Sequence, residues 1–340
     1  MKKEKNFKIL SKLFWFVLIM LLTYLLVLKN SNLNLIFDEI SKVNGLYIIL
    51  AIISMFFFFL LEAINVRYLL KEVNTNITMH SSLEYSLICH FFNGITPAAS
   101  GGQPLEVYIM NHDGIDGSSA TLALLIQMFA YKISALLLAL ISFIFSVKLL
   151  PINLILSFLI GFLVYSIPFT LISLCIFNNS FVERFVKKII NLLKKIGFKN
   201  INAEKILEGV YKYQDSSKYL KKNKKLFIKS IFLSLIGVLF SYLVTYFVYR
   251  SFNLDASSVI AIVMRQSMLY AIASWFPLPG AIGASELAYV SLFKNIFIGD
   301  KVYSALIITR GINFYLYTFI GMIIYIFKTI KINKKVKNEK

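Results

Sequence analysis

The chain has 340 residues, 58% of them hydrophobic, a mean hydropathy of +0.72 and a formal net charge of +19. These values exclude an ordinary water-soluble domain. The two cysteines, Cys89 and Cys175, both lie in apolar runs, which excludes a disulfide scaffold and leaves them as small packing residues.

At the N-terminus, Lys2, Lys3, Lys5, Lys8 and Lys12 precede the apolar run 13–28. The pattern imitates a signal peptide, but the run ends at Leu28-Lys29-Asn30-Ser31 without a small-residue cleavage site. It reads as an uncleaved first span behind a basic N-terminus, 1–12. A spanning helix needs about 20 apolar residues, and six runs qualify: 13–29, 46–66, 119–147, 151–177, 226–250 and 302–327. Two interrupted regions, 82–112 and 257–298, separate the second from the third and the fifth from the sixth. Each has two apolar arms around a Gly/Pro segment, and each arm is too short or too broken for a full span. Each region therefore reads as a re-entrant hairpin. A pair of thin spans is the alternative and leaves the remaining topology unchanged.

The first break carries Pro97, Gly101, Gly102 and Pro104 before Glu106, and the second carries Pro277, Pro279, Gly280 and Gly283 before Glu286. Both run nine residues from the first proline to the glutamate. Broken backbone at membrane depth is tolerated only where protein covers it or where it lines a cavity. Two such breaks in corresponding places of two halves point to a transporter binding site. The glycines suit positive φ and close approach, and a helix N-terminus that faces an anion.

Three blocks, at the N-terminus, in the insert 178–225 and in the tail 328–340, hold 24 of the 36 basic residues. Six spans and two hairpins place all three on one side, the cytoplasm, with both termini there. The hairpins then enter from opposite sides, and the halves, near 46–147 and 226–327, form an inverted repeat of span, broken hairpin and span. The expected fold is an all-α polytopic membrane protein, with membrane half one at 13–177 and half two at 226–327. Within the insert, Phe181 to Ile196 has the pattern of a basic amphipathic helix lying in the headgroup plane. That pattern serves either anionic-lipid attraction or topology marking by a solvated connector. No stacking aromatics mark the basic stretches as a nucleic-acid surface.

Ionisable groups inside spans are costly and often functional. Glu106, Glu286, Arg310, Arg265, Lys132 and His90 are the candidate substrate-binding residues. Each carboxylate is followed by a cation in the next span, 26 residues on for Lys132 and 24 for Arg310. This suits a charged or zwitterionic headgroup, with cations to phosphate and carboxylates to ammonium or hydroxyl. The competing reading is internal Glu–Arg pairing, with Pro104 and Glu106 as ordinary helix-start residues. Glu62 lies near the cytoplasmic end of its run, close to Arg67, and reads as a snorkelling side chain. No P-loop, dinucleotide fingerprint, zinc-helix motif or nucleophile elbow is present. His80, His90 and His112 lack metal-ligand spacing. No cofactor or metal is expected, and no catalytic residue is assigned.

In Asn93-Gly94-Ile95-Thr96-Pro97, Gly101-Gly102-Gln103-Pro104, Pro279-Gly280-Ala281-Ile282-Gly283-Ala284-Ser285-Glu286 and Arg310, the chain resembles the flippase-like family that includes the membrane domain of lysylphosphatidylglycerol synthase, the multiple peptide resistance factor. The resemblance covers essentially the whole chain. It implies a lipid translocator of the bacterial inner membrane that moves lysyl-phosphatidylglycerol, another phospholipid or a polyprenyl-phosphate sugar. Many members carry a Glu-Arg pair followed by Asp in the third full span, where this chain has Tyr131-Lys132 and Ser134. The synthase's soluble domain, which transfers lysine from charged tRNA, has no counterpart after the last span, so this chain by itself is not expected to be the transferase. The alternatives are a membrane component of lipid aminoacylation, or a non-catalytic partner of a separate synthase or glycosyltransferase.

Overall fold

A computed structural model describes residues 33–195, 203–273 and 278–338. The expected first span, the basic N-terminus and Pro277 lie outside the described residues. The elements in chain order are α1 (Leu33–Ser41), α2 (Gly45–Glu72), α3 (Met79–Ile95), α4 (Gly102–His112), α5 (Gly117–Ser146), α6 (Ile152–Phe177), α7 (Asn179–Lys195), α8 (Ala203–Lys222), α9 (Lys224–Ser251), α10 (Val259–Ala273), α11 (Ala284–Phe293), α12 (Lys301–Arg310) and α13 (Tyr317–Asn338). A 3₁₀ turn, Pro97–Ala99, joins α3 to α4, and another, Pro279–Ala281, precedes α11. A π segment, Gly311–Leu316, joins α12 to α13. Among the described residues five helical stretches are long and apolar enough to cross a membrane: α2, α5, α6, α9 and Lys301–Ile332. The chain is an all-α polytopic membrane protein. Leu163 and Ile167 on α6 are exposed, as a lipid-facing helix requires.

Local chemistry sets the helix starts. Asn44, Thr78, Asp116 and Asn223 each accept a hydrogen bond from a backbone N–H two or three residues on, satisfying a donor the helix cannot. Helices α2 and α9 run past the expected spans, α2 to Glu72 and α9 from Lys224 to Ser251. Glu62 therefore lies well inside α2, not at its end, because the helix continues to Glu72. The loop expected near 30–45 contains α1, which docks on α12 through Ser304 Oγ to the Ile36 carbonyl (3.4 Å) and a Lys301–Glu39 contact of 3.8 Å.

The two halves meet along α2 and α9, which run antiparallel. The Asn44 N–H donates to the Ser251 carbonyl (2.8 Å), Ser54 Oγ to the Phe240 carbonyl (2.7 Å), Asn65 Nδ2 to Ser234 Oγ (3.1 Å) and Asn223 Nδ2 to Glu72 Oε2 (3.4 Å). Rising numbers on one helix meet falling numbers on the other. The two helices thus point in opposite directions.

The hairpins open at opposite ends of this seam. At the end that carries the basic insert, Tyr85 OH donates to Asp113 Oδ2 (2.6 Å), and Lys328 Nζ reaches Asp113 Oδ2 (2.7 Å) and Glu84 Oε2 (3.0 Å). This closes the base of the α3–α4 hairpin. The base of the α10–α11 hairpin lies at the other end, where the Ser257 N–H donates to Tyr249 OH (3.0 Å) and Phe297 packs on Tyr249 and Phe252. The packing is reciprocal: α3 lies on α13 of the second half, and α10 lies on α5 of the first. The crossings are close: on α13 a methyl added at Gly321 would stand 2.2 Å from the Leu87 carbonyl oxygen of α3, and on α6 one at Gly161 would stand 2.1 Å from the Ala271 carbonyl oxygen of α10. Small residues at such crossings let helix backbones approach.

The amphipathic stretch expected at 181–196 is α7, with Phe185, Ile189 and Leu192 exposed. The insert also contains α8, tied to the membrane helices by Ser118 Oγ to the Gly209 carbonyl (3.0 Å) and Tyr213 OH to the Cys175 carbonyl (2.7 Å).

Candidate functional site

The tips of the two hairpins touch: the 3₁₀ turn Pro97–Ala99 packs against Pro279–Ala281. Both turns end on an alanine in the left-handed region, Ala99 (φ 52°) and Ala281 (φ 51°). This is a rare conformation for a residue with a Cβ, and such strain concentrates at ligand sites. By turn geometry the partner of Pro97 is Pro279, two residues later than the sequence spacing suggests.

This offset separates the two glutamates. The N-cap of α11 is Gly283, so Glu286 sits three residues into the helix and folds back, and its Oε2 accepts the Gly283 N–H at 2.6 Å. The N-cap of α4 is Gly101, so Glu106 sits five residues in. Two residues on a helix are a rotation of about 200°. Glu106 therefore faces away from its own turn and toward the bundle.

Around Glu286 the charges are matched within the chain. Its carboxylate is fully buried. Arg310 Nε and Nη2 lie 2.7 Å and 2.6 Å from Oε1, Arg310 Nη2 donates to the Gly280 carbonyl (2.9 Å), and the Ser285 hydroxyl stands 3.0 Å from Oε2. Arg310 Nη1 donates no hydrogen bond among the described residues. The π segment begins directly after Arg310; such insertions often mark functional sites. It carries Phe314, whose ring centroid lies 4.9 Å from the Arg310 guanidinium. The ring fills the space at Gly280, where a Cβ would stand 2.7 Å from it, and Gly280 itself has φ 61°. Phe314 also packs on Gly94 of the other half, and with Ile282 and Ile95 it forms an apolar contact between the hairpin tips.

Around Glu106 the charges are unmatched. Glu106 is 2% exposed, and its Oε1 has no hydrogen-bond partner. The Cys89 carbonyl of α3 lies against the start of α4 at Gly102. Among the described residues no lysine or arginine pairs with Glu62 or Glu106. The turn is closed internally: the Gly101 N–H donates to Thr96 Oγ1 and the Gly102 N–H to Asn93 Oδ1, both at 3.0 Å. A Cβ at Gly102 would stand 2.3 Å from Asn93 Oδ1, so close approach, not positive φ, accounts for glycine there. The Gly101, Gly102 and Gly283 N–H groups are thus taken by the protein itself. Helix α4 also begins before Pro104, which lies within its first turn.

The remaining sequence candidates fall elsewhere. His90 stacks edge-on against Phe59 (5.0 Å), and its Nε2 lacks a partner. Lys132 lies 4.2 Å over the Tyr165 ring and reaches no carboxylate among the described residues. Next to it Tyr131 OH donates to Tyr270 OH (2.9 Å). Arg265 Nη1 donates to the Leu292 carbonyl (2.6 Å), which ties α10 to the end of α11. Sequence reasoning missed Phe314, one of 31 phenylalanines. Among the described residues no three His, Cys, Asp or Glu side chains gather as metal ligands.

The sequence model of one family, described as the lysylphosphatidylglycerol synthase TM region, matches residues 12–321. The chain is also 27% identical to a UPF0104 membrane protein of Archaeoglobus fulgidus over 343 residues, covering 95% of this chain and 98% of that protein.

Proposed function

We propose that this chain, which belongs to the lysylphosphatidylglycerol synthase TM region family, moves a polar-headgroup lipid between membrane leaflets, with lysyl-phosphatidylglycerol or a related phospholipid as cargo. One observation carries the reading: two opposed hairpins meet tip to tip beside a buried Glu286–Arg310 pair and a buried carboxylate, Glu106, with no counter-charge. A structural core has no need of such costly groups, whereas a headgroup path does. The headgroup enters between the tips while its acyl chains stay in lipid. Its phosphate meets the free Nη1 edge of Arg310, and its ammonium or hydroxyl groups meet Glu106. Separation of the tips, by rocking of one half against the other about the α2–α9 seam, opens the site to alternate leaflets. The basic end is the cytoplasmic one.

The test is leaflet exchange in liposomes that hold the purified chain and fluorescent phosphatidylglycerol, lysyl-phosphatidylglycerol or polyprenyl-phosphate lipid. Exchange of one lipid class is expected, reduced at least tenfold by Arg310→Ala and by Glu106→Gln. No exchange of any lipid by folded protein would sink the reading and move the weight to a partner role beside a separate synthase or glycosyltransferase.

A further inference from the structure

The side chains around Lys132 belong to α5, α6, α9 and α10, and none of these helices carries Glu106, Glu286 or Arg310. Lys132 and Tyr165 stand near the middle of their membrane-spanning helices, Gly117–Ser146 and Ile152–Phe177, where an ion is most costly. Lys132 Nζ lies 4.2 Å from the centre of the Tyr165 ring. That ring meets the Tyr270 ring edge-on at 5.8 Å, and Tyr131 OH donates to Tyr270 OH at 2.9 Å. Tyr242 comes level with Tyr270 by register. Tyr249 of α9 meets Ser257 ahead of α10, and Thr245 Oγ1 donates to Gln266 Oε1 (3.0 Å), so the two helices run in opposite directions. One turn back from Thr245 is then level with one turn on from Gln266.

The cluster has donors to spare and lacks an acceptor for them. Tyr165 and Tyr242 are 7% and 4% exposed, and neither hydroxyl has a hydrogen-bond partner among the described residues. Tyr270 OH accepts from Tyr131, and its own proton goes to no described residue. Among the described residues Lys132 makes no ion pair, and Glu62, one turn along α2 from the Phe58 ring that packs on Tyr131 (6.3 Å), makes none either. Buried hydroxyls left unpaired and a cation without a counter-charge all cost stability. Phenylalanine would pack the same space without that cost.

We propose that Lys132, Tyr165, Tyr242 and Tyr270 bind a phosphate group, in a second anion site separate from the Arg310 edge. A phosphate diester carries a single negative charge, which Lys132 balances, and its free oxygens accept from the hydroxyls. The phosphate comes from a lipid headgroup or from a soluble molecule; the site recognises the same oxygens in either. The site requires no transport and stands whether or not the chain moves lipid.

The experiment uses the full chain in maltoside micelles, which hold no phosphate. Titration calorimetry reads the binding of short-chain dihexanoyl-phosphatidylglycerol, of sodium phosphate and, at equal ionic strength, of sodium chloride. Binding of the phosphatidylglycerol is expected in the wild type and in Glu286→Gln/Arg310→Met, which lacks the Arg310 edge. Tyr165→Phe and Tyr242→Phe are expected to weaken it about tenfold each, and Lys132→Met to abolish it. Binding of the lipid, with or without inorganic phosphate, supports the proposal with a headgroup as the source; binding of inorganic phosphate alone supports it with a soluble source. No binding of either, equal binding of chloride, or binding that the tyrosine substitutions leave unchanged overturns it, as does binding lost with Arg310 alone. Each tyrosine substitution removes only an oxygen that has no partner, so these variants decide even where Lys132→Met does not fold. Lipid exchange that fails leaves this binding intact, and exchange that proceeds without it leaves the proposed transport intact, so the two readings fail separately.

Discussion

Arg310 holds the second hairpin to the last membrane helix through two acceptors, Glu286 Oε1 and the Gly280 carbonyl. Its removal leaves Glu286 buried and uncompensated, so Arg310→Ala is expected to cost about 3–5 kcal/mol in unfolding free energy, read by denaturant titration in detergent. The double variant Glu286→Gln/Arg310→Met should cost clearly less than the sum of the single changes. Additivity would show that the pair is not coupled. Arg310→Lys should restore little, because one ammonium cannot reproduce the forked contact. Gly280→Ala carries two penalties, a positive φ and a Cβ 2.7 Å from the Phe314 ring. About 1–3 kcal/mol is expected from the backbone alone, measured in the same titration, and Phe314→Ala in the same chain should relieve only the steric part. At this scale the charged residues were legible in the sequence, because an ion in an apolar run is conspicuous. Phe314 was not, since its role comes from two glycines brought to it from different halves.

The breaks show how little separates two similar elements. Both hairpins carry a proline turn, a left-handed alanine and a glutamate, yet a two-residue change of frame turns Glu286 back onto its own helix start and Glu106 away from it. Equal sequence spacing concealed this, because the 3₁₀ turns begin at Pro97 and Pro279, an N-cap follows each by four residues, and the glutamates then fall five and three residues further on. The helix crossings are as demanding as the turns. Gly321→Leu would drive a side chain into the Leu87 carbonyl and push α3 off α13. A loss of more than about 1–3 kcal/mol is expected, together with loss of lipid exchange. A variant of unchanged melting temperature would show that α3 moves freely on α13. The amphipathic pattern of α7 was legible from its spacing. Helix α1 was not, because nine residues beside a membrane carry too short a pattern to stand out from a loop.

At the scale of the molecule, antiparallel α2 and α9 and the reciprocal packing of α3 on α13 and α10 on α5 make each half incomplete without the other. Hydropathy and the recurrence of the breaks made the order of spans legible, but the tip-to-tip meeting needed the structure, since no local pattern records a contact between residues so far apart in sequence. In a background of Cys89→Ser and Cys175→Ser, cysteines at Asn76 and Lys331 should react with an impermeant thiol reagent from the cytoplasmic side, and cysteines at Lys42 and Asp255 from the other. Labelling of Asn76 and Asp255 from one side would refute opposed hairpins. The apolar seal of Phe314, Ile282 and Ile95 where the tips meet also has an electrical meaning. A membrane stores energy as ion gradients, and a water-filled column along the buried charges would short-circuit it. The seal insulates the resting protein: substitution of Phe314 by serine should let protons run down an imposed gradient across vesicles that the wild type keeps tight.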